Sequence, residues 1–320
     1  MRHVLFILLA AVCFGTTGTA QAFGPDDASA LSIGAARIAI GGGALALVGA
    51  LARTGLLRAG TFGYPRDSSV RAAVRVSSGL ATPGATAGLA PTWVVVALGA
   101  AGVVAYQPAV FAGTSENGVA VGTIVALGSA PVITGGLEWA ITRRFPGLLW
   151  LIATTVATFG VVLLSGIGGT DAVSVPGLLA SLGAGASYAV YALASKRLLV
   201  RGWTPTAAMG SIFGLAAAAS VPLLLVTDLG WLTTAEGVTL ALWLGLVTTT
   251  VAYLLFASGL VGLTAATVST LTLAEPLTAT LLGILLLNER LSGNAVLGLI
   301  VLALGLVILV VPRRARAAVA

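Results

Sequence analysis

Ten long apolar runs follow one another along this sequence of 320 residues, separated for the most part by short polar or charged turns. A helix needs about 20 mainly apolar residues to cross the hydrocarbon core of a bilayer. In lipid, every backbone N–H and C=O must be paired within its own segment, so such runs predict helices. The runs cover residues 4–23, 30–52, 92–113, 118–140, 148–166, 176–196, 205–227, 238–258, 264–287 and 293–311.

The composition is that of a protein surrounded by lipid. Hydrophobic residues make up 58% of the chain and charged residues only 8%, whereas a soluble domain carries about 25% charged residues. The sequence therefore predicts an all-α integral membrane protein with ten transmembrane helices. Because the chain holds a single histidine, His3, and a single cysteine, Cys13, we expect no His/Cys metal site and no intramolecular disulfide. Nothing in the sequence indicates a cofactor.

Charges are distributed unevenly between alternate loops. If the N-terminus is cytoplasmic, fourteen of the sixteen Lys and Arg residues fall on the cytoplasmic side, as the positive-inside rule requires. We therefore expect both termini in the cytoplasm. The net charge of +6 then belongs largely to loops beside anionic membrane lipid, and we expect no nucleic-acid partner.

The first apolar run has features of a secretory signal peptide. Arg2-His3 precedes it, and Ala20-Gln21-Ala22 at its end matches a small-residue cleavage site. Cleavage would leave nine spans and break the repeat described next. We therefore expect this run to be the first transmembrane helix.

The two halves of the chain show a weak internal repeat. At an offset of 145 residues, Ser129-Ala130-Pro131 aligns with Ala274-Glu275-Pro276, and Gly160 aligns with Gly305. Five spans per half is an odd number, so the second half would cross the membrane in the opposite sense, as in inverted-repeat transporters. The predicted units are residues 1–166, residues 167–312 and a basic cytoplasmic tail, 313–320.

Residues 53–91 form a basic insertion between the second and third runs. The segment contains five arginines and one acidic residue, Asp67. Anionic lipid on the cytoplasmic face attracts basic segments by about 1 kcal/mol per charge. Two interpretations stay open: a lipid-surface or regulatory contact, and a solvated, partly disordered loop.

Several residues of the second half form a family signature. The run Leu273–Leu277, Gly283 and the run Asn288–Leu291 resemble the second EamA domain of the drug/metabolite transporter superfamily. The first half matches more loosely, through Gly15-Thr16-Thr17 and Arg37. The resemblance implies ten helices around a central cavity and the transport of amino acids, other metabolites or drugs.

Glu275 is the main candidate for a functional residue, because ionisable groups deep in a bilayer are costly. It lies eleven residues into its run, about 17 Å deep at 1.5 Å per residue, in a core about 30 Å thick. It could balance a cationic substrate or couple transport to protons. Alternatively, it could pair with backbone groups loosened by Pro276. Pro131 and Pro276 are the predicted kinks.

Two further charged residues lie within the runs. Arg37, about 12 Å into the second run, could bind a substrate carboxylate, brace helix ends or snorkel to the surface. We expect Glu138 to form an interfacial ion pair with Arg143 or Arg144.

Polar and aromatic side chains at membrane depth are candidates for lining a substrate pocket. A packing role is open for each of them. Tyr188 and Tyr191 are three residues apart, so they share one helix face. The set consists of Thr16, Thr17, Gln21, Tyr106, Gln107, Tyr188, Tyr191 and Tyr253.

These features together predict a secondary transporter that moves a small organic metabolite by alternating access. The family resemblance favours export, and Glu275 is the candidate group for proton coupling. The chain has no phosphate-binding glycine loop with a lysine, which excludes ATP-driven pumping by this chain alone. The scarcity of acids and nucleophiles in the runs argues against an enzyme. The alternative is a membrane scaffold without transport activity. The sequence does not determine the oligomeric state.

Overall fold

The structure, a computed structural model, describes residues 1–25, 28–54, 90–164, 174–288 and 290–311. This part of the chain is helical and contains no strand. Nine of its helices are long and apolar enough to cross a membrane, and one further apolar helix, α5, has 17 residues. The helices are α1 (Arg2–Ala22), α2 (Ala30–Arg53), α3 (Thr92–Gly118), α4 (Val121–Thr142), α5 (Leu148–Leu164), α6 (Val175–Val200), α7 (Pro205–Val226), α8 (Ala235–Leu260), α9 (Ala265–Leu287) and α10 (Gly293–Val310).

Each of the ten predicted runs carries one of these helices. α6 extends four residues beyond the predicted end at 196. The predicted insertion at 53–91 lies almost entirely outside the described residues, and the predicted tail at 313–320 lies wholly outside them.

Serine and threonine caps mark where most of the helices begin. A side-chain oxygen at the cap accepts a hydrogen bond from a backbone N–H of the first turn, which has no partner within the helix. The capping residues are Ser29 in α2, Ser174 in α6, Thr204 in α7, Thr234 in α8, Thr264 in α9 and Ser292 in α10.

α3 and α4 form one helical stretch that is interrupted at a glycine. Gly118 has φ 77° and ψ 158°, while helical dihedral angles continue through Pro108 and Pro131. The positive φ favours glycine at this position. A bend at Pro131 therefore stays a prediction, since the backbone angles there are those of a helix.

The helices pack in a regular set of pairs. α1 packs against α8 and α9, and α6 packs against α3 and α4. α2 packs against α7, and α5 against α10. The largest cluster of buried residues includes Leu198, Phe213 and Phe256, and it lies beside the central cavity described below.

Close helix contacts depend on glycine, and α2 provides a test of this. A Cβ added at Gly41 would lie 2.5 Å from the carbonyl oxygen of Gly245 in α8, whereas a Cβ at Gly43 would meet nothing within 4 Å. We expect Gly41→Ala to lower the free energy of unfolding by about 1–3 kcal/mol through overpacking. Gly43→Ala should leave it unchanged or raise it by up to about 1 kcal/mol, because alanine favours helix. Thermal unfolding in detergent measures the stability of the two variants. Equal stabilities would contradict the close approach of α2 and α8.

Candidate functional site

A cavity of about 460 Å³ lies inside the bundle between α1, α2, α3, α4, α6, α8 and α9. Exposed Gln21, at the end of α1, lines its mouth, while Tyr188 and Tyr191 line its depth and are buried. We call the end of the bundle where α1 ends the open end. The opposite end, where α1 begins, is the closed end.

The cavity brings together nine of the ten polar and charged residues that the sequence singled out for substrate binding or coupling. Their roles in binding and coupling stay predictions. The nine are Thr17, Gln21, Arg37, Tyr106, Gln107, Tyr188, Tyr191, Tyr253 and Glu275.

Thr16 is the exception. Its hydroxyl donates to the carbonyl of Cys13 (2.7 Å) and accepts from the indole N–H of Trp243 (3.0 Å). Successive helix residues point about 100° apart, so Thr16 and Thr17 face different spaces. Thr16 lies with Trp243 and Leu282 in a second groove, which is formed by α1, α8 and α9.

Arg37 is held in the cavity wall by α8. Its Nε donates to the hydroxyl of Thr249 (3.0 Å), and its Nη2 donates to the backbone carbonyl of Thr248 (3.2 Å). A guanidinium has five N–H donors, so within the described structure three are left for a ligand or for water. Arginine binds carboxylates through such a planar fork.

The stretch of α8 that holds Arg37 is a π-helix, Trp243–Val251. The Thr249 hydroxyl donates to the carbonyl of Leu244 (2.9 Å), five residues back, while accepting from Arg37. π-Helical turns are rare and are frequently found at functional sites. The polar run Thr248-Thr249-Thr250 stands out in an apolar span, but it was not among the predicted site residues.

Glu275 follows a break in α9. The helix stops at Leu271 and resumes at Ala274, and the N–H of Glu275 donates to the carbonyl of Thr272 (2.9 Å). Pro276 then lies in the first turn of the second segment, where a missing N–H costs little. The partial positive charge of a helix N-terminus also favours a carboxylate there.

Arg37 and Glu275 both line the cavity and both are half-buried. Among the described residues they form no ion pair with each other, and Glu275 accepts no side-chain hydrogen bond. The cavity wall therefore carries a guanidinium and a carboxyl group that are not bonded to each other.

One wall of the cavity is aromatic. The rings of Tyr188 and Tyr191 stand edge to face, with centroids 5.0 Å apart, and Phe14 meets Tyr253 at the same distance. The Tyr188 hydroxyl shares a 2.9 Å hydrogen bond with the Thr272 hydroxyl, next to the break in α9. Such a wall can contact the apolar part of a ligand while its hydroxyls stay hydrogen-bonded.

Comparison with known proteins identifies the family. A model of the EamA-like transporter family matches residues 175–311. A protein of Bacillus subtilis (strain 168) named "Uncharacterized transporter YwfM" is 39% identical over 317 residues, which is 99% of this chain and 96% of that protein. The chain belongs to the EamA-like transporter family. The resemblance drawn from the Glu275-Pro276 region is thereby confirmed.

The fold agrees with this assignment. A solved crystal structure superposes with a TM-score of 0.72 over 96% of this chain and 95% of the other, at 19% identity. The family and the long apolar helices identify this EamA-like protein as a multi-pass protein of the cell membrane. In the part of the chain that the structure describes, no cluster of three or more His, Cys, Asp or Glu residues could hold a metal ion.

At the closed end of the EamA-like bundle, the structure corrects one expectation. Glu138 does not pair with Arg143 or Arg144; its carboxylate accepts from the backbone N–H groups of Ala265 (3.1 Å) and Ala266 (2.8 Å). Lys196, the last residue of the predicted run 176–196, is 6% exposed and lies within α6. The partners of Glu138 could not be predicted, because these backbone groups are far from it in sequence.

Proposed function

We propose that this protein is a secondary transporter that carries a small organic metabolite, an amino acid, amine or related compound, across the cytoplasmic membrane. The observation that supports this most strongly is the central cavity, which combines Arg37, Glu275 and a tyrosine wall. A zwitterion could place its carboxylate on Arg37 and its ammonium on Glu275. Its apolar side chain would then lie against Tyr188 and Tyr191.

The proposed mechanism is alternating access between two inverted five-helix halves, residues 1–166 and 167–312. The pairs of packed helices support this mechanism. If each helix is exchanged with the helix five places away in the chain, the contacts of α1 with α8 and α9 become the contacts of α6 with α3 and α4. The pairs α2–α7 and α5–α10 map onto themselves. Such a relation is the one expected for an inverted repeat.

In this proposal all ten helices cross the membrane and both termini are cytoplasmic. α5 has 17 residues, about 25 Å of helix, at the short end of the range for a span. The open end then faces the outside and the closed end faces the cytoplasm. Export is the favoured direction, with Glu275 as the proton-coupling group.

A ligand screen tests this function against the scaffold alternative. Purified protein is heated with amino acids, the corresponding decarboxylated amines and organic acids, and unfolding is recorded. A specific ligand raises the unfolding temperature, because binding to the folded state stabilises it. A hit is then tested for saturable counterflow in proteoliposomes. If no compound binds and none is transported, the scaffold alternative is favoured.

The π-helical contact with Arg37 leads to a prediction about affinity. Thr249→Val removes the acceptor of the Arg37 Nε–H while keeping the side-chain volume. A hydrogen bond to a charged group is worth about 1.5–3 kcal/mol, so we expect the Kd of an amino acid found in the screen to rise by roughly tenfold or more. Thr249→Ser keeps the hydroxyl and should bind like wild type. Equal affinities for the valine and serine variants would show that Thr249 does not position Arg37.

A further inference from the structure

The turn between α8 and α9 is held by two charged side chains that come from other helices. The Nζ of Lys196 in α6 donates to the carbonyl oxygens of Leu260 (2.9 Å) and Leu263 (2.8 Å), where α8 ends. The carboxylate of Glu138 in α4 accepts from the amides of Ala265 and Ala266, where α9 begins. A cation thus binds the last carbonyl of α8 and a carbonyl of the turn, and an anion binds the first amides of α9.

These contacts satisfy backbone groups that have no partner within their own helices. Glu138 is 9% exposed and Lys196 is 6% exposed, so few water molecules can replace them. A buried charge is tolerated only when it is hydrogen-bonded or paired. The turn and its two side chains therefore depend on one another.

The turn lies at the closed end of the cavity. Ser269, four residues into α9, already lines the cavity. The start of α9 is also braced by α5, since the indole N–H of Trp150 donates to the carbonyl of Ala266 (3.0 Å). The bonds join α4 and α6 to the turn between α8 and α9, and all four of these helices line the cavity.

We propose that Glu138 and Lys196 are positioning residues that form a latch on the α8–α9 turn, keeping the closed end shut while the open end is accessible. This inference rests on the alternating-access function proposed above. When the closed end opens, α9 moves away from α4, or α8 moves away from α6. The charge-assisted bonds of the latch then break, and water takes the place of the lost partners. The free-energy cost of this exchange sets the equilibrium between the form open at one end and the form open at the other.

Side-specific cysteine labelling tests the latch without a known substrate. In a Cys13→Ser background, Ser269→Cys reports the deep cavity and Thr17→Cys reports its mouth. A membrane-impermeant methanethiosulfonate carrying a sulfonate is added to right-side-out or inside-out vesicles. The side from which Thr17→Cys reacts defines the open side.

Glu138→Gln and Lys196→Met should each raise the labelling rate of Ser269→Cys from the opposite side by at least about fivefold, which corresponds to about 1 kcal/mol of population shift. Labelling of Thr17→Cys from the open side should fall in the same variants. Arg201→Met is the matched control. Arg201 lies at the same end of α6, but it donates to the Ala90 carbonyl (2.7 Å) and does not hold the turn.

The latch is wrong if the labelling of Ser269→Cys is unchanged in folded latch variants, or if Arg201→Met raises it equally. Folding is checked by gel filtration and by the unfolding temperature. If Lys196→Met does not fold, Glu138→Asp tests the latch instead. Aspartate keeps the charge but is one methylene shorter, so this variant must still raise the labelling rate of Ser269→Cys. If the wild type shows saturable counterflow but the latch variants leave the labelling of Ser269→Cys unchanged, the latch alone is refuted. Latch opening without any transport refutes the proposed function alone.

Discussion

Glu275→Gln is expected to abolish most transport and to remove its dependence on pH. The substitution keeps the size of the side chain and removes the only acidic charge on the cavity wall among the described residues. A hydrogen bond to a charged group contributes about 1.5–3 kcal/mol, so binding of an ammonium ligand should weaken by roughly 10- to 100-fold. Counterflow in proteoliposomes at several pH values measures the rate and its pH dependence together.

Glu236→Gln is the matched control for this substitution. Glu236 lies in the first turn of α8 and lines the second groove, away from the central cavity. The Glu236→Gln variant should transport at the wild-type rate. If Glu275→Gln has an unchanged rate and pH profile, the carboxylate has no coupling role, and its function is to stabilise the break before Pro276.

Arg37→Lys is expected to weaken the binding of ligands that carry a carboxylate and to leave the binding of their decarboxylated analogues unchanged. Lysine keeps the positive charge but lacks the planar fork and cannot reproduce the paired contacts with Thr248 and Thr249. We expect the Kd of an amino acid to rise by roughly 10- to 100-fold, because a charge-assisted hydrogen bond is lost. The corresponding amine should keep its affinity.

The amine serves as the internal control in that experiment. Equal losses for the amino acid and the amine would mean that the substitution distorts the cavity rather than removing a carboxylate site. Unchanged binding of both would assign Arg37 the bracing role between α2 and α8. Titration calorimetry or the shift in unfolding temperature measures each ligand separately.

Most of the helical fold could be predicted from the sequence, because the constraint that the bilayer imposes is local. A segment that enters lipid must pair its own backbone, so runs such as 205–227 and 293–311 specify helices without reference to their neighbours. The α7 and α10 helices that form there begin after Thr204 and Ser292, whose caps are also local. Glu275 and Arg37 were found for a related reason, since charges are rare at that depth.

The details of the site were harder to predict, because they depend on which helix faces which. Thr16 and Thr17 are chemically identical neighbours, yet only Thr17 lines the cavity. The contact of Arg37 with the π-helical turn joins α2 to α8, and the bonded residues are about 210 positions apart in sequence. Propensity and periodicity contain no information about such pairings.

The sequence by itself determined that this is a helical membrane protein, and its Glu275-Pro276 signature indicated the family. It did so because burial in lipid and backbone pairing act on each segment separately. Only the tertiary structure decided that Glu138 and Lys196 are inside the protein rather than at its surface. Their partners are backbone groups of the α8–α9 turn, 127 and 64 residues away, and such contacts exist only after the helices have packed.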